Sequence, residues 1–586
     1  MNVADLVDVA SALAAPHHDG SDAYVLERPD ELGDKAVVRL RVPRASAVDT
    51  VALRYVHDGE PRIVRAELDG ETESETFWRA TFPAVHPATR YRWLLAGGEI
   101  GYAWLNGLGV VTHDIPDDDD FVLLAGGEGP QWHLESVVYE IFPDRFASSG
   151  LEVDARDWAV RRAWEELPMG RGVKSQYELF GGDLRGIEQH LDHITSLGAN
   201  AIYLTPVFPA GSVHRYDATT FEHVDPLLGG DAALSSLVAA AHARGIRIVG
   251  DLTLNHVGVG HEWFASDHEF FFMDGDKYDS WMNVKTLPTL NWSSGELRRR
   301  MADVVRRWLE FGLDGWRIDV ANMAGRHGDI DLNDEVARLT REAAGDALLI
   351  AEHGHDFRHD LGGRGWHGSM NYSGFLRPIW WWLRDPDFAR DPFRADFPAP
   401  LFGGEQSVAT MRAFRAGVPW QSTLHSWTLL DSHDTARFRT VVRSRDKHIV
   451  GIGLQMTTPG VPMIFAGDEV GLEGEWGEDA RRTMPWNRRD EWDDALLAEY
   501  RKLIALRRSS PALARGGIRY VHVSADAIAY LRETRGETLL CLAARAAHDP
   551  IRVPFRSLET LYGDDAGDGV LPADGPSFHV WRLTNG

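Results

Sequence analysis

Between about residues 132 and 507, eight apolar, β-rich runs alternate with amphipathic helical stretches, a rhythm that predicts a (β/α)8 barrel. A zone before the barrel and another after it alternate apolar and polar residues with a period of two, which predicts N-terminal and C-terminal β-sandwich domains. After the third run comes an aromatic-rich stretch too long for an ordinary βα loop, the mark of an inserted subdomain. The predicted class is α/β, a TIM barrel flanked by two β domains. Its divisions are residues 1–125 (N-terminal β domain), 126–257 and 295–507 (barrel), 258–294 (insertion) and 508–586 (C-terminal β domain).

In chain order, KAVVRLRV, TVALRYV, RIVRAEL, FWRATF and ATRYRWLL each read as a half-buried strand, with HDGE and LAGGE as turns. The acidic run 117–120, followed by GGEGPQ, reads as a solvated linker. The barrel strands are VVYEIF, ANAIYLTPV, IRIVGDLTL, DGWRIDVA, ALLIAEHG, SMNYSGF, WTLLDSH and VPMIFAGDE. Stretches such as LRGIEQHLDHITSLG and ELRRRMADVVRRWLEFG supply the covering helices. The last zone contributes AIAYLRE, TLLCLAAR, IRVPF and FHVWRL.

The chain has 586 residues and a net charge of −27, which argues against nucleic acid or any other phosphate-rich partner. Its 21 Trp, 14 Tyr and 24 Phe offer flat faces for sugar rings, although most aromatics belong to cores. One cysteine, Cys541, excludes an intrachain disulfide and fits a reducing compartment. The first 20 residues carry acids where a secretory signal needs a positive start, and no apolar stretch is long enough to span a bilayer. A cytoplasmic protein without a membrane partner is expected.

In such barrels the chemistry sits at the C-terminal ends of the strands. The third run ends in Asp251, Asn255 and His256, the fourth in Arg317 and Asp319, the fifth in Glu352, the seventh in His433 and Asp434. Arg317 and Asp319 are two apart and so share a face, where the cation would keep the carboxylate ionised. Taken singly, such a pair is usually a structural ion pair. Carboxylates converging from separate strands suit glycoside hydrolysis, with one as nucleophile and one as acid and then base.

That set resembles the α-amylase superfamily of glycoside hydrolases. DLTLNH (251–256), GWRIDVAN (315–322), AEHGHD (351–356) and LDSHDT (430–435) resemble its four signatures, and HRYDATTFEHVDP (214–226) its sugar-stacking segment. The resemblance implies Asp319 as nucleophile, Glu352 as general acid/base and Asp434 as transition-state stabiliser. It also implies that Arg317 orients Asp319, that His256 and His433 bind sugar hydroxyls, and that Tyr216 stacks. Within the superfamily, the N-terminal β domain, LPTLNWSS (287–294), FPDRFA and FGGDLRGI resemble the cyclomaltodextrinase, neopullulanase and maltogenic amylase group. That similarity implies retaining hydrolysis of short, cyclic or branched malto-oligosaccharides, and a homodimer formed through the N-terminal domain. Transglycosylation, or α-glucosidase action on linear malto-oligosaccharides, is the neighbouring alternative.

Three positions depart from the group's pattern. His353 and Gly354 stand where an apolar residue and Trp are usual. Met323 follows Asn322 where Glu is usual, so these residues bear on substrate choice at the leaving side. Ser148, Ser149 and Gly150 replace a loop rich in Asn and Asp, although Gly182 and Asp183 remain, so neither a calcium ion nor any other cofactor is expected. His355, Asp356, His359 and Asp360 read as a solvated loop rather than a metal cluster, and Asp468 and Glu469 as structural. Trp380, Trp381 and Trp382 read as core. Trp263, Phe264, Phe270, Phe271, Phe272 and Trp281 are the insertion's candidates for substrate contact, with some needed for its own packing.

Overall fold

A computed structural model describes residues 15–584 except 155, 364, 392–397, 556 and 568. The reading of the extreme N-terminus therefore lies partly outside the described residues. Eight parallel strands close a barrel: β1 (Val138–Ile141), β2 (Ala201–Leu204), β3 (Arg247–Thr253), β4 (Gly315–Asp319), β5 (Leu348–Glu352), β6 (Gly368–Met370), β7 (Trp427–Leu429) and β8 (Val461–Phe465). Closure is made where Val138 of β1 pairs with Met463 of β8. Nearly every residue of these strands is buried, which explains why they read as continuous apolar runs rather than alternating ones.

All eight expected runs supply strands, but the sixth is shorter than read. SMNYSGF leaves the sheet after Met370, because the Asn371 side chain accepts the Gly374 N–H at 2.8 Å and opens the helical segments Tyr372–Leu376 and Arg377–Leu383. On the second of these segments Trp380 and Trp382 are buried, and their indole N–H groups bond the carbonyls of Leu430 and Ala525. They belong to the core.

The N-terminal domain is two antiparallel sheets closed over Val38, Leu40, Leu53, Tyr91 and Trp93. RIVRAEL is not one strand. Arg65 pairs with Ala52 in one sheet while Glu67 pairs with Arg79 in the other, so the chain changes sheets at buried Ala66. Nor is the acidic run a solvated linker. Asp120 is fully buried beside Arg92, at 3.2 Å, and burial pushes its carboxyl up to about 7. The next residues, Phe121–Leu124, pair with Ala88–Tyr91.

The C-terminal domain is a five-stranded antiparallel sheet. One face packs on the barrel helix Arg445–Thr457, so closely that a Cβ on Gly453 would stand 2.3 Å from the Phe578 ring. The other face buries Leu540, Leu542 and Trp581 beneath two segments, one carrying Ile551 and Val553 and the other Leu571. IRVPF, expected as a strand, lies in the first of these; its Arg552 makes only an isolated bridge to Val570. No helix among the described residues is long and apolar enough to cross a membrane.

The end of the barrel remote from the strand C-termini is sealed by buried histidines. Trp427 donates to His133 Nε2 at 2.9 Å, so His133 carries its proton on Nδ1 and donates it to His425 Nδ1 at 2.9 Å. His367 Nδ1 accepts the Leu349 N–H at 3.0 Å. Burial lowers all three pKa values, that of His425 to about 3. Because the folded-state values lie below the unfolded one, the stability these rings confer is complete above about pH 6.5 and is lost as the pH falls toward the folded values. The urea midpoint should therefore fall between pH 7.5 and 5.5, with a slope of up to about 1.4 kcal/mol per pH unit for each buried ring. His425→Gln should flatten that slope. A midpoint that rises on acidification would contradict this reading.

Candidate active site

The parallel register of β3, β4 and β5 sets Asp251 beside Arg317 and Thr253 beside Asp319, and Arg317 beside Ile350. Arg317 is 0% exposed. One of its terminal nitrogens lies 2.8 Å from Asp319 Oδ1 and 3.1 Å from both oxygens of Asp251, and the other lies 2.8 Å from Glu352 Oε1. One guanidinium thus gathers three carboxylates from three strands. Asp319 and Glu352 are thereby held on neighbouring nitrogens of one guanidinium.

The charges do not balance pairwise. Burial opposes the charge on Arg317, but Asp251 and Glu352 outweigh it and keep the guanidinium protonated. Burial and the neighbouring Glu352 carboxylate push the Asp319 carboxyl well above its usual range, with Arg317 pulling the other way. Arg317 favours the ionised form of Asp319, and its charge is shared with Asp251 and Glu352.

Beyond β4 the backbone is strained. Val320, a β-branched residue, holds φ at 42°, and its N–H donates to Glu352 Oε2 at 2.8 Å. The strand end thus fixes both oxygens of Glu352, one through Arg317 and one through Val320.

A second network holds Asp434. His433 Nδ1 bonds Glu140 at the end of β1, and His433 Nε2 lies 3.2 Å from Asp434 Oδ2. Arg481 donates to Asp434 Oδ1 at 2.9 Å and to the His433 carbonyl at 2.7 Å. Burial opposes ionisation of Asp434, but His433, Arg481 and Arg317 together hold its carboxyl below the usual value. Tyr216 ties the two networks together: its hydroxyl donates to Asp251 Oδ2 at 2.9 Å and meets His433 Nε2 at 2.7 Å, with the rings stacked at 16°.

His256 is kept neutral, its pKa lowered to about 3 by burial and by His214, and its Nε2 stands 3.8 Å from Asp319. Trp281 from the insertion lies over it, ring centres 5.7 Å apart. Of the other insertion aromatics, Trp263, Phe270 and Phe271 are core, Phe264 packs on Phe271 and Tyr278, and Phe272 stacks on His327 at 3.7 Å. Asn322 and Met323 are half-buried on the turn after β4. His353 is 4% exposed and bonded to Asp360 at 2.8 Å, and Asp360 also pairs with Arg326 at 2.9 Å, so the ring organises its own loop. His353 and Arg326 hold Asp360 at about 2 against the effect of burial. Asp360 is thus turned inward, while Asp356 is exposed as the solvated-loop reading expects.

Around Asp183 the donors are of the wrong sort for a cation. Its oxygens accept the Ser149 N–H and O–H at 2.8 and 2.9 Å and the Gly186 N–H at 2.8 Å, so the residues present do not fit calcium. No group of three or more His, Cys, Asp or Glu side chains among the described residues could hold a metal. Glu469 accepts from Tyr139 and His193, which gives it a structural place behind the site.

Glu140 and Arg481 escaped the sequence reading. Glu140 sits inside an apolar run, and Arg481 lies in an irregular segment beyond β8, where no periodicity marks it.

The model for the α-amylase catalytic domain matches residues 140–361. Neopullulanase 2 of Thermoactinomyces vulgaris is 31% identical over 68% of this chain and 67% of its own length. A cyclomaltodextrinase of a Bacillus species is 31% identical over 70% and 73%. Among solved structures, the ligand-free cyclic α-maltosyl-(1→6)-maltose hydrolase of Arthrobacter globiformis superposes with a TM-score of 0.66 at 31% identity. That alignment covers 77% of this chain and 99% of the other.

If Arg481 sets the charge of Asp434, Arg481→Gln should lower kcat/KM by about 100-fold, roughly 2.7 kcal/mol. The acidic limb of the rate profile should move to higher pH, because Asp434 loses a cation that favours its ionised form. An unchanged profile would show that the pair is only structural.

Proposed function

This chain belongs to the α-amylase superfamily, and we propose that it hydrolyses α-glucosidic bonds in short, cyclic or branched malto-oligosaccharides with retention of configuration. The observation that carries this reading is the shared guanidinium, which binds Asp319 and Glu352 through its two terminal nitrogens. Similarity to enzymes named for cyclodextrins, pullulan and cyclic maltosyl-maltose supports the substrate class.

In this reading Asp319 attacks the anomeric carbon as Glu352 passes its proton to the leaving oxygen; the C–O bond breaks and a glycosyl-Asp319 ester forms. Glu352, now a carboxylate, takes a proton from water, whose oxygen displaces Asp319 and regenerates the site. Both steps need Glu352 fixed in place, and Arg317 and the Val320 N–H hold it. Asp434, kept ionised by Arg481 and His433, grips ring hydroxyls most tightly as the ring flattens toward an oxocarbenium ion. His256, His433 and Tyr216 line the cleaved sugar, while Asn322 and Met323 stand on the leaving side. His353 acts on substrate choice only through its loop. The N-terminal β domain supports a homodimer, which would show as a doubled mass in sedimentation.

Asp319→Asn should lower turnover at least about 10⁴-fold without unfolding the protein. On wild type, cyclic maltosyl-maltose, β-cyclodextrin and pullulan should be cut faster than starch, with the α-anomer released first. Full activity in Asp319→Asn, or β-anomer as first product, would overturn the mechanism. Starch cut faster than every small substrate would overturn the substrate class.

A further inference from the structure

We infer that Trp476, flanked by Arg390, forms a carbohydrate subsite beside Asp434 that stacks the glucosyl unit next to the one being cleaved. This rests on the function proposed above and extends it to a residue outside the signature segments.

Trp476 is the one tryptophan exposed among the described residues, at 38%. A large indole left in water at a cleft rim is unfavourable unless something covers it in use. Its segment is anchored to the site at both ends. Ahead of it, the Gly474 carbonyl accepts from Arg437. After it, Arg481 grips Asp434. The next residue, Gly477, runs so close that a Cβ there would lie 2.9 Å from the Asp434 carbonyl oxygen. The Trp476 ring, Asp434 and Arg390 line one recess, whose floor is buried Trp380 and Phe388.

The ring also has a fixed neighbour. Arg390, from the loop after β6, donates to the Glu475 carbonyl at 3.0 Å, with its guanidinium 6.0 Å from the indole centre. Loops following β6 and β8 are thereby joined around the indole. Its N–H makes no hydrogen bond among the described residues and is free to donate to a sugar hydroxyl, while its face takes the apolar C–H side of a pyranose. Asp434 lines the recess and Met323 does not.

The test pairs kinetics with binding in the full-length enzyme. Trp476→Ala should raise KM for cyclic maltosyl-maltose about tenfold while kcat changes by less than about threefold, and Trp476→Phe should recover most of the loss. Melting temperature and far-UV dichroism of both variants should match wild type, since the side chain is exposed. In the inactive Asp319→Asn background, maltotriose should quench tryptophan fluorescence, and Asp319→Asn/Trp476→Ala should lose that quench. Unchanged KM and an unchanged quench in the Trp476→Ala proteins would overturn the subsite. Activity surviving in Asp319→Asn alone would instead overturn the proposed mechanism, whatever Trp476 does.

Discussion

Arg317 is the constraint on which the site depends. A buried guanidinium is costly to desolvate and is tolerated only when its charge is met, and here three carboxylates from three adjacent strands meet it. The dependence runs both ways. Without the cation, Asp251, Asp319 and Glu352 could not share so small a volume, and without the parallel register of β3, β4 and β5 they would not reach it. Burial and the neighbouring Glu352 push the Asp319 carboxyl upward, and Arg317 opposes them.

The Asp434 half is built on other elements, β1, β7 and the segment after β8, and obeys the opposite electrostatic logic. There His433 and Arg481 outweigh burial and keep one carboxylate charged. Tyr216 bonds into both halves, so a shift in either is felt by the other. Two neighbouring carboxyl environments are thereby pushed apart, one toward holding a proton and one toward charge.

Much of this was legible in the sequence, for identifiable reasons. Buried parallel strands read as apolar runs, and the residues that close them (Arg317, Asp319, Glu352, His433, Asp434) interrupt those runs at their ends. The misreadings also have physical causes. RIVRAEL keeps its alternation while changing sheets at Ala66, which periodicity does not register. The run 117–120 looked solvated by composition, yet Arg54 and Arg92 draw it inward. SMNYSGF looked like strand until the Asn371 side chain turned it helical. Arg481 is defined by a contact across 47 residues, which no local pattern reveals.

In the proposed mechanism Asp319 becomes covalently bonded to sugar while Glu352 manages protons. Fluoride leaves without help from an acid, so in Glu352→Gln an α-maltosyl fluoride should still glycosylate the enzyme, and release, which needs the base, should stall. Mass spectrometry of the digested protein should then find one maltosyl unit on the peptide carrying Asp319. A label on Asp434 or Asp251, or a maltosyl product formed with no adduct at any time, would contradict the account.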